Sequence, residues 1–426
     1  MTEQVDDSAE LVERVAALDI GKATVMACTR IPHEDGRRRL QEVREYGTTT
    51  GALLALAGQL HELGVTLVVM EATDYWKPVF YLLEAEGFTC WLLNARHVKN
   101  VPGRPKTDKL DAVWLAKVAE RGMCRPSLVH PRPIRELRDL TRYRRSLIRE
   151  RTAEKQRVEK LLEDAQIKLS SVASNIFGVS GRQMLAAMLD GEGDPTVLAR
   201  MAHGRMRAKI PQLQEALAGN FTAHHAFLLQ MMLDRIDGLT ARVEEVTARI
   251  EEQIAPYARA VEQLDEIAGV GITSAQELIA EIGAGMSCFR TAGHLVSWAK
   301  YAPIDRSSAG KSKGGSSGKG NPWLAATPGE VVTAAARTDT FLGERYHRIA
   351  RRRGKRRAIV AVGNSILTII WHLLSDPDAS YHDLGQGYYQ HRSDSRHRER
   401  DLIRKLERLT GKTVTLQPVA GQEPAA

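Results

Sequence analysis

The sequence predicts an α/β domain followed by an all-α region, and three observations carry that expectation. Short apolar runs of strand length alternate with helical runs from Arg14 through Arg121. From Pro133 the texture changes to long, charged stretches whose apolar residues recur at helical spacing. The length, 426 residues, allows two or three domains.

Taken in order, Val15–Asp19, Ala23–Thr29 and Leu40–Tyr46 read as strands, the first two joined by a turn at Gly21-Lys22. Thr50–Leu63 reads as a helix ended by Gly64, and Val65–Glu71 as a buried strand. A helix at Tyr75–Glu86 stopped by Gly87, a strand at Thr89–Asn94 and a helix at Thr107–Arg121 complete the unit. Three strands and then alternating helix and strand is the order of an RNase H-like domain with a partly parallel sheet. Leu137, Leu140, Leu147, Val158 and Leu162 mark one long helix, and Leu229, Leu233, Ile236, Val243 and Ile250 another. Two such helices pack on each other or, as a coiled coil, on a second copy. Ser170 to Ala218 reads as short helical pieces. Ile267-Ala-Gly-Val-Gly271, running into a helix over Ile272–Ile282, has the form of a helix-hairpin-helix, whose glycines would let Gly269 and Gly271 approach a phosphate. A plain helix-helix turn fits the same residues. Gly and Ser dominate Ser307 to Gly320, and Asn321-Pro322 marks a helix start. Pro328 is expected to break or kink that helix. The expected boundaries are 14–125 for the sheet domain, 133–257 for a helical linker and oligomerisation region, and 261–395 for a mainly helical C-terminal domain. Residues 1–13 and 413–426 are expected to be unstructured.

Net charge is +8 and the pI about 9.3, which suggests a polyanionic partner. Arg132 to Lys160 holds eleven Arg/Lys against five Asp/Glu, and Arg345 to Arg357 holds eight Arg/Lys in thirteen residues. Each run alone is as readily a solvated face as a nucleic-acid contact. The four cysteines are scattered, which argues against a zinc site or a disulfide framework and fits a reducing cytoplasm. The acidic, polar N-terminus does not have the form of a signal peptide. Ala358 to Leu374 is the longest apolar run, and its Asn364, Ser365 and His372 make it a buried helix rather than a membrane span.

Four acids stand out: Asp19 and Glu71 each end an apolar run, and Asp108 and Asp111 open a helix. A carboxylate at the end of a buried strand is costly unless it is paired or bound to a cation. Mg²⁺ or Mn²⁺ takes oxygen ligands, and two such ions can clamp the attacking and leaving oxygens of a phosphodiester. The plainer alternatives are an N-cap for Asp108, first-turn charge for Asp111 and a turn residue for Asp19; Asp74 is a rival ligand. Arg104, Lys106 and Lys109 flank the acidic pair and would hold a phosphate or offset repulsion.

These residues carry a resemblance. Ala17-Leu-Asp-Ile-Gly-Lys22, Met70-Glu-Ala-Thr73, Asn94-Ala-Arg-His-Val-Lys-Asn-Val-Pro-Gly-Arg104, Lys106-Thr-Asp-Lys-Leu-Asp111, Ile267-Ala-Gly-Val-Gly271, Ser307-Ser-Ala-Gly-Lys311 and Lys319-Gly-Asn-Pro-Trp-Leu324 occur in that order. In this the chain resembles the DEDD-type insertion-sequence transposases with a catalytic serine, also called bridge-RNA-guided recombinases, over roughly residues 14 to 395. Ala268 stands where that family often has proline. The resemblance implies a RuvC-like nuclease domain with Asp19, Glu71, Asp108 and Asp111 as ligands of Mg²⁺ or Mn²⁺. It implies Ser308 as the nucleophile, Ser307 being its nearest competitor, with Ser316 and Ser317 as loop filler. It also implies donor and target DNA and a structured bridge RNA as partners. The protein would act as a dimer or tetramer in which one subunit's serine completes another's acidic site. Lys311 and the run Arg351, Arg352, Arg353, Lys355, Arg356 and Arg357 would contact nucleic acid. A metal-dependent nuclease or junction resolvase needs the four acids but not Ser308; a non-catalytic nucleic-acid scaffold needs only the basic runs.

Overall fold

A computed structural model describes residues 12–33, 38–94, 107–303, 306–308, 311–313, 318, 320–389 and 395–415. The expectation that the chain ends are unstructured falls outside these residues except at 12–13 and 413–415. Val12 is tied down: its N–H donates to the Glu120 carbonyl at 3.1 Å, and its carbonyl accepts from Arg39 at 3.2 Å. The chain divides into two compact units, Met1–His130 and Pro131–Ala426.

The first unit is a five-stranded mixed sheet in the order β3-β2-β1-β4-β5. The strands are β1 (Val15–Ile20), β2 (Thr24–Pro32), β3 (Arg39–Gly47), β4 (Leu67–Glu71) and β5 (Thr89–Leu93). β1, β2 and β3 are antiparallel neighbours, and β4 and β5 continue from β1 in parallel. Side chains alternate across a strand, so β1 and β4 sort their residues into two cores. Ala16, Leu18, Val68 and Met70 pack with Leu53, Leu56 and Leu60 of α1 (Thr50–Glu62) and Val79, Phe80 and Leu83 of α2 (Trp76–Ala85). Val15, Ala17, Leu67 and Val69 pack with Ala112, Leu115, Ala116 and Ala119 of α3 (Asp108–Glu120). Three of those four α3 residues are alanine, which lets the helix lie close on the sheet. This is the RNase H-like arrangement expected from the strand order.

The second unit opens with α4 (Arg132–Asp164), started by Pro133 in its first turn. Short helices follow: α5 (Leu169–Val172), α6 (Val179–Leu189), α7 (Pro195–Arg200) and α8 (Ile210–Leu217). Then comes α9 (Ala223–Ile254), whose Thr222 and His225 form a capping box. The two long helices pack on each other within the chain. Val158 and Leu162 of α4 share a core with Leu229, Leu233 and Ile236 of α9, and Arg151 reaches Thr240 at 3.2 Å. The remaining helices are α10 (Ala258–Asp265), α11 (Ile272–Ile282), α12 (Ala292–Trp298), α13 (Pro322–Ala335), α14 (Phe341–Arg353), α15 (Lys355–Ser375) and α16 (Ser395–Thr410). A hairpin of β6 (Arg306–Ser308) and β7 (Lys311–Lys313) lies between α12 and α13.

Three expectations are corrected. The basic run of α4 is not one solvated face. Arg142 forks the Glu281 carboxylate of α11 at 2.7 and 2.8 Å, and Arg145 binds Glu277 at 2.6 Å and also Glu330. Partners more than 130 residues away neutralise these guanidiniums, and the local charge count could not show that. Pro328 does not break α13, which runs from Pro322 to Ala335 with Pro328 buried inside it. The proline removes one backbone donor, and Leu324, Val331 and Val332, buried on either side of it, hold the helix in the core. α15, by contrast, is the core helix that the sequence leads one to expect: long and apolar enough to cross a membrane by length and composition, it has Val362, Ile366, Leu367 and Ile370 fully buried.

Gly269 is the third correction. Its φ is +89°, and a Cβ there would lie 2.6 Å from the Val331 carbonyl oxygen and from the Ala335 nitrogen. The glycine therefore lets the α10–α11 turn pack on α13, a reason for it that needs no phosphate. Gly269→Ala is expected to lower stability by about 1–3 kcal/mol from backbone strain, before the clash is counted. Gly271, exposed and with open space around it, should accept alanine with little change. Thermal unfolding of the two variants checks the contrast.

Candidate active site

The carboxylates at the end of the sheet follow from register. β1 and β4 pair in parallel through Leu18↔Met70, so Asp19, next to last in β1, and Glu71, last in β4, follow at the same C-terminal end of these neighbouring central strands. Both fall on the odd-numbered face, the one covered by α3, and both are half-buried. α3 runs opposite to β1, because Glu120 at its C-terminal end meets Val12. Its N-terminal turn therefore lies at the Asp19 end. Asp108 and Asp111 sit four residues before Ala112 and Leu115, extending the sheet-facing stripe by one turn. Thr107 caps the helix, accepting from Leu110 N at 3.3 Å, so Asp108 is not the N-cap. The positive end of the helix dipole favours negative charge there.

A cavity of about 210 Å³ opens at this end, lined by Asp19, Ile20, Gly21, Thr24, Met26, Glu45 and Asp108. Glu45 is the residue that sequence reasoning missed. It lies on β3, and the ladder Asp19↔Met26↔Glu45 puts it on the same face as Asp19, two strands away. Alternation within β3 could have assigned its face, but only the pairing register brings it to Asp19. Among the described residues no three His, Cys, Asp or Glu side chains stand close enough to share one ion. Of the four expected ligands, Asp19 and Asp108 line this open space, with Glu45 as a third carboxylate, whereas Glu71 and Asp111 are not part of its wall; carboxylate oxygens are the donors that Mg²⁺ or Mn²⁺ takes. Asp74 lies beyond β4, just before α2, as the sequence suggests. Lys109 is exposed in the first turn of α3, whereas Arg104 and Lys106 lie outside the described residues.

In the second unit Ser308 is the last residue of β6, paired with Lys311 of β7, and Ser307 pairs with Ser312. The Gly- and Ser-rich stretch is thus partly a short hairpin. Ser316 and Ser317 lie outside the described residues. The basic run from Arg345 divides in two. Arg345 donates to the Tyr389 hydroxyl at 2.7 Å, and the Arg348 guanidinium lies 3.8 Å over the Tyr389 ring. Arg351, Arg352, Arg353, Lys355, Arg356 and Arg357 are all exposed around the turn at Gly354. Three of these cations open α15, where the helix dipole disfavours them and a bound phosphate would offset the cost.

An RNase H-like sheet with acids at the ends of its central strands, joined to a helical domain, fits an enzyme of phosphoryl transfer on nucleic acid, and comparison with protein families makes it a transposase. The chain belongs to the IS110 family of transposases. The family's DEDD-type domain, described as Transposase, matches residues 16–167, and a second domain, described as Transposase IS116/IS110/IS902 family, matches residues 261–347. Together they span more than half of the chain. No curated protein matches it.

Proposed function

We propose that this transposase cuts and rejoins DNA through a phosphoserine intermediate at Ser308, aided by divalent metal held by Asp19, Glu71, Asp108 and Asp111 and guided by a bridge RNA from its own element. The observation that supports this reading most is the cavity at the C-terminal ends of the central strands, where Asp19 of β1 and Asp108 of the first turn of α3 share one wall. Bound Mg²⁺ or Mn²⁺ would supply charge stabilisation at the attacking and leaving oxygens. Ser308 Oγ loses its proton and forms a bond to phosphorus as the bond to a deoxyribose oxygen breaks; that oxygen takes up a proton. One phosphoester replaces another, so the DNA ends stay activated and rejoining needs no external energy source. The protein acts as an oligomer in the cytoplasm on donor and target DNA, and the exposed cations around Gly354 hold nucleic-acid backbone.

The test mixes the protein, Mg²⁺, RNA transcribed from the noncoding DNA flanking the gene, and end-labelled target DNA, and separates the products on a denaturing gel. A covalent protein–DNA band that needs both Mg²⁺ and the RNA is expected. Cleavage without such a band would favour the hydrolytic nuclease. Replacing Arg352 and Arg356 with alanine should reduce the slope of log K against log salt by about 2, since each lost phosphate contact removes about 0.9. Binding titrations at several salt concentrations measure it.

A further inference from the structure

The segment that carries Ser308 leaves and returns to the scaffold at one place. A Cβ on Gly320 would lie 3.1 Å from the Ala299 carbonyl oxygen and 3.2 Å from Lys300 Cβ, so the two ends of the segment touch. Lys300 itself has a φ of +62°, unusual for a residue with a side chain. On the outgoing side Tyr301 is buried. Its hydroxyl donates to the Ala325 carbonyl at 2.9 Å, its own carbonyl accepts from Asn364 at 3.2 Å, and burial pushes its pKa up to about 12. On the returning side Asn321 uses both ends of its amide. Oδ1 accepts from Trp323 N at 3.0 Å and caps α13, while Nδ2 donates to Glu281 Oε2 at 2.6 Å.

Glu281 is 4% exposed, a carboxylate taken almost wholly out of water. Arg142 of α4 holds both its oxygens, and the Arg142 guanidinium also lies 5.7 Å from the Trp323 ring centre. Arg138 fixes the end of α11 beside it, donating to the carbonyls of Ala280 at 2.9 Å and Glu281 at 3.1 Å. A buried carboxylate with this many directed partners has one favourable position, and losing one partner is costly. We infer that Glu281 is a positioning residue: it fixes Asn321, and so the point from which the serine hairpin is presented. The inference rests on Ser308 being the nucleophile.

Asn321→Ser is the informative variant, because serine still caps a helix but cannot reach Glu281 as the amide does. Its melting temperature should fall only slightly, because Arg142 still holds both Glu281 oxygens. Its rate of covalent complex formation should fall by about 10²-fold, the scale of a small misplacement of a reacting group, with DNA affinity unchanged. Asn321→Asp, which still caps the helix but sets a second carboxylate against Glu281, should lower the rate at least as far. A wild-type rate for Asn321→Ser would overturn the proposal. So would a loss of DNA affinity equal to the loss of rate, which would place the contact in binding. If the wild-type protein forms no covalent band that Ser308→Ala removes, the nucleophile assignment fails first, and the result is distinct from both.

Discussion

Ser308→Ala is expected to form no covalent protein–DNA complex while binding DNA and RNA as the wild-type protein does. Alanine removes only the oxygen that would bond to phosphorus. Removing a nucleophile that acts in a unit with other catalytic groups costs about 10⁴-fold or more in rate. Loss of the band on the denaturing gel, with unchanged mobility shift on a native gel, is the expected pair of results. Ser307→Ala should retain the band. If Ser307→Ala removes it and Ser308→Ala does not, the covalent chemistry stands and the nucleophile is the neighbouring residue.

Asp19→Asn is expected to abolish strand cleavage and, unlike most changes at a half-buried position, to leave the fold as stable or more so. Asp19 shares the cavity with Asp108 and Glu45 and ends the strand beside Glu71. Asp19 and Asp108 line the same cavity, so neutralising one lessens their mutual repulsion, while asparagine keeps the hydrogen-bonding shape of the side chain. The same change removes a ligand from the hard-cation donor set. Loss of even one group that stabilises a transition state costs about 10²–10³-fold, and loss of a metal ligand should cost at least as much. Single-turnover cleavage across a Mg²⁺ titration, together with a melting curve in EDTA, separates the two effects. A variant that melts earlier and still cuts would assign Asp19 to structure. Glu45→Gln, at the far wall of the cavity, should give a smaller loss of the same kind.

Much of the first unit was legible in its sequence because a half-buried strand advertises its period. The strand order and the helix ends at Gly64 and Gly87 follow from local residues alone, and all five strands formed close to their expected positions. The strand-end positions of Asp19 and Glu71 were legible too, but their common face depends on register. Glu45 needed two successive pairings, across β2 to β3, and no local pattern encodes those. The second unit hid more. Arg138, Arg142 and Arg145 look like a basic surface until Glu277 and Glu281 are folded against them. Gly269 has the look of a phosphate-binding glycine until α13 arrives at its Cα. In each case the deciding partner lies far along the chain, and a buried charge or a close approach makes sense only with that partner in place.

The meeting of Lys300 and Gly320 bears on how the family can diversify. A segment whose ends touch closes a loop at one point of the scaffold. Tyr301 is tied into the helices through Ala325 and Asn364, so change in composition and length belongs to the residues past it. Doubling its length would cost only about 0.6 kcal/mol in closure entropy. Chimaeras can therefore be built by exchanging the residues between Tyr301 and Gly320 while leaving the scaffold intact.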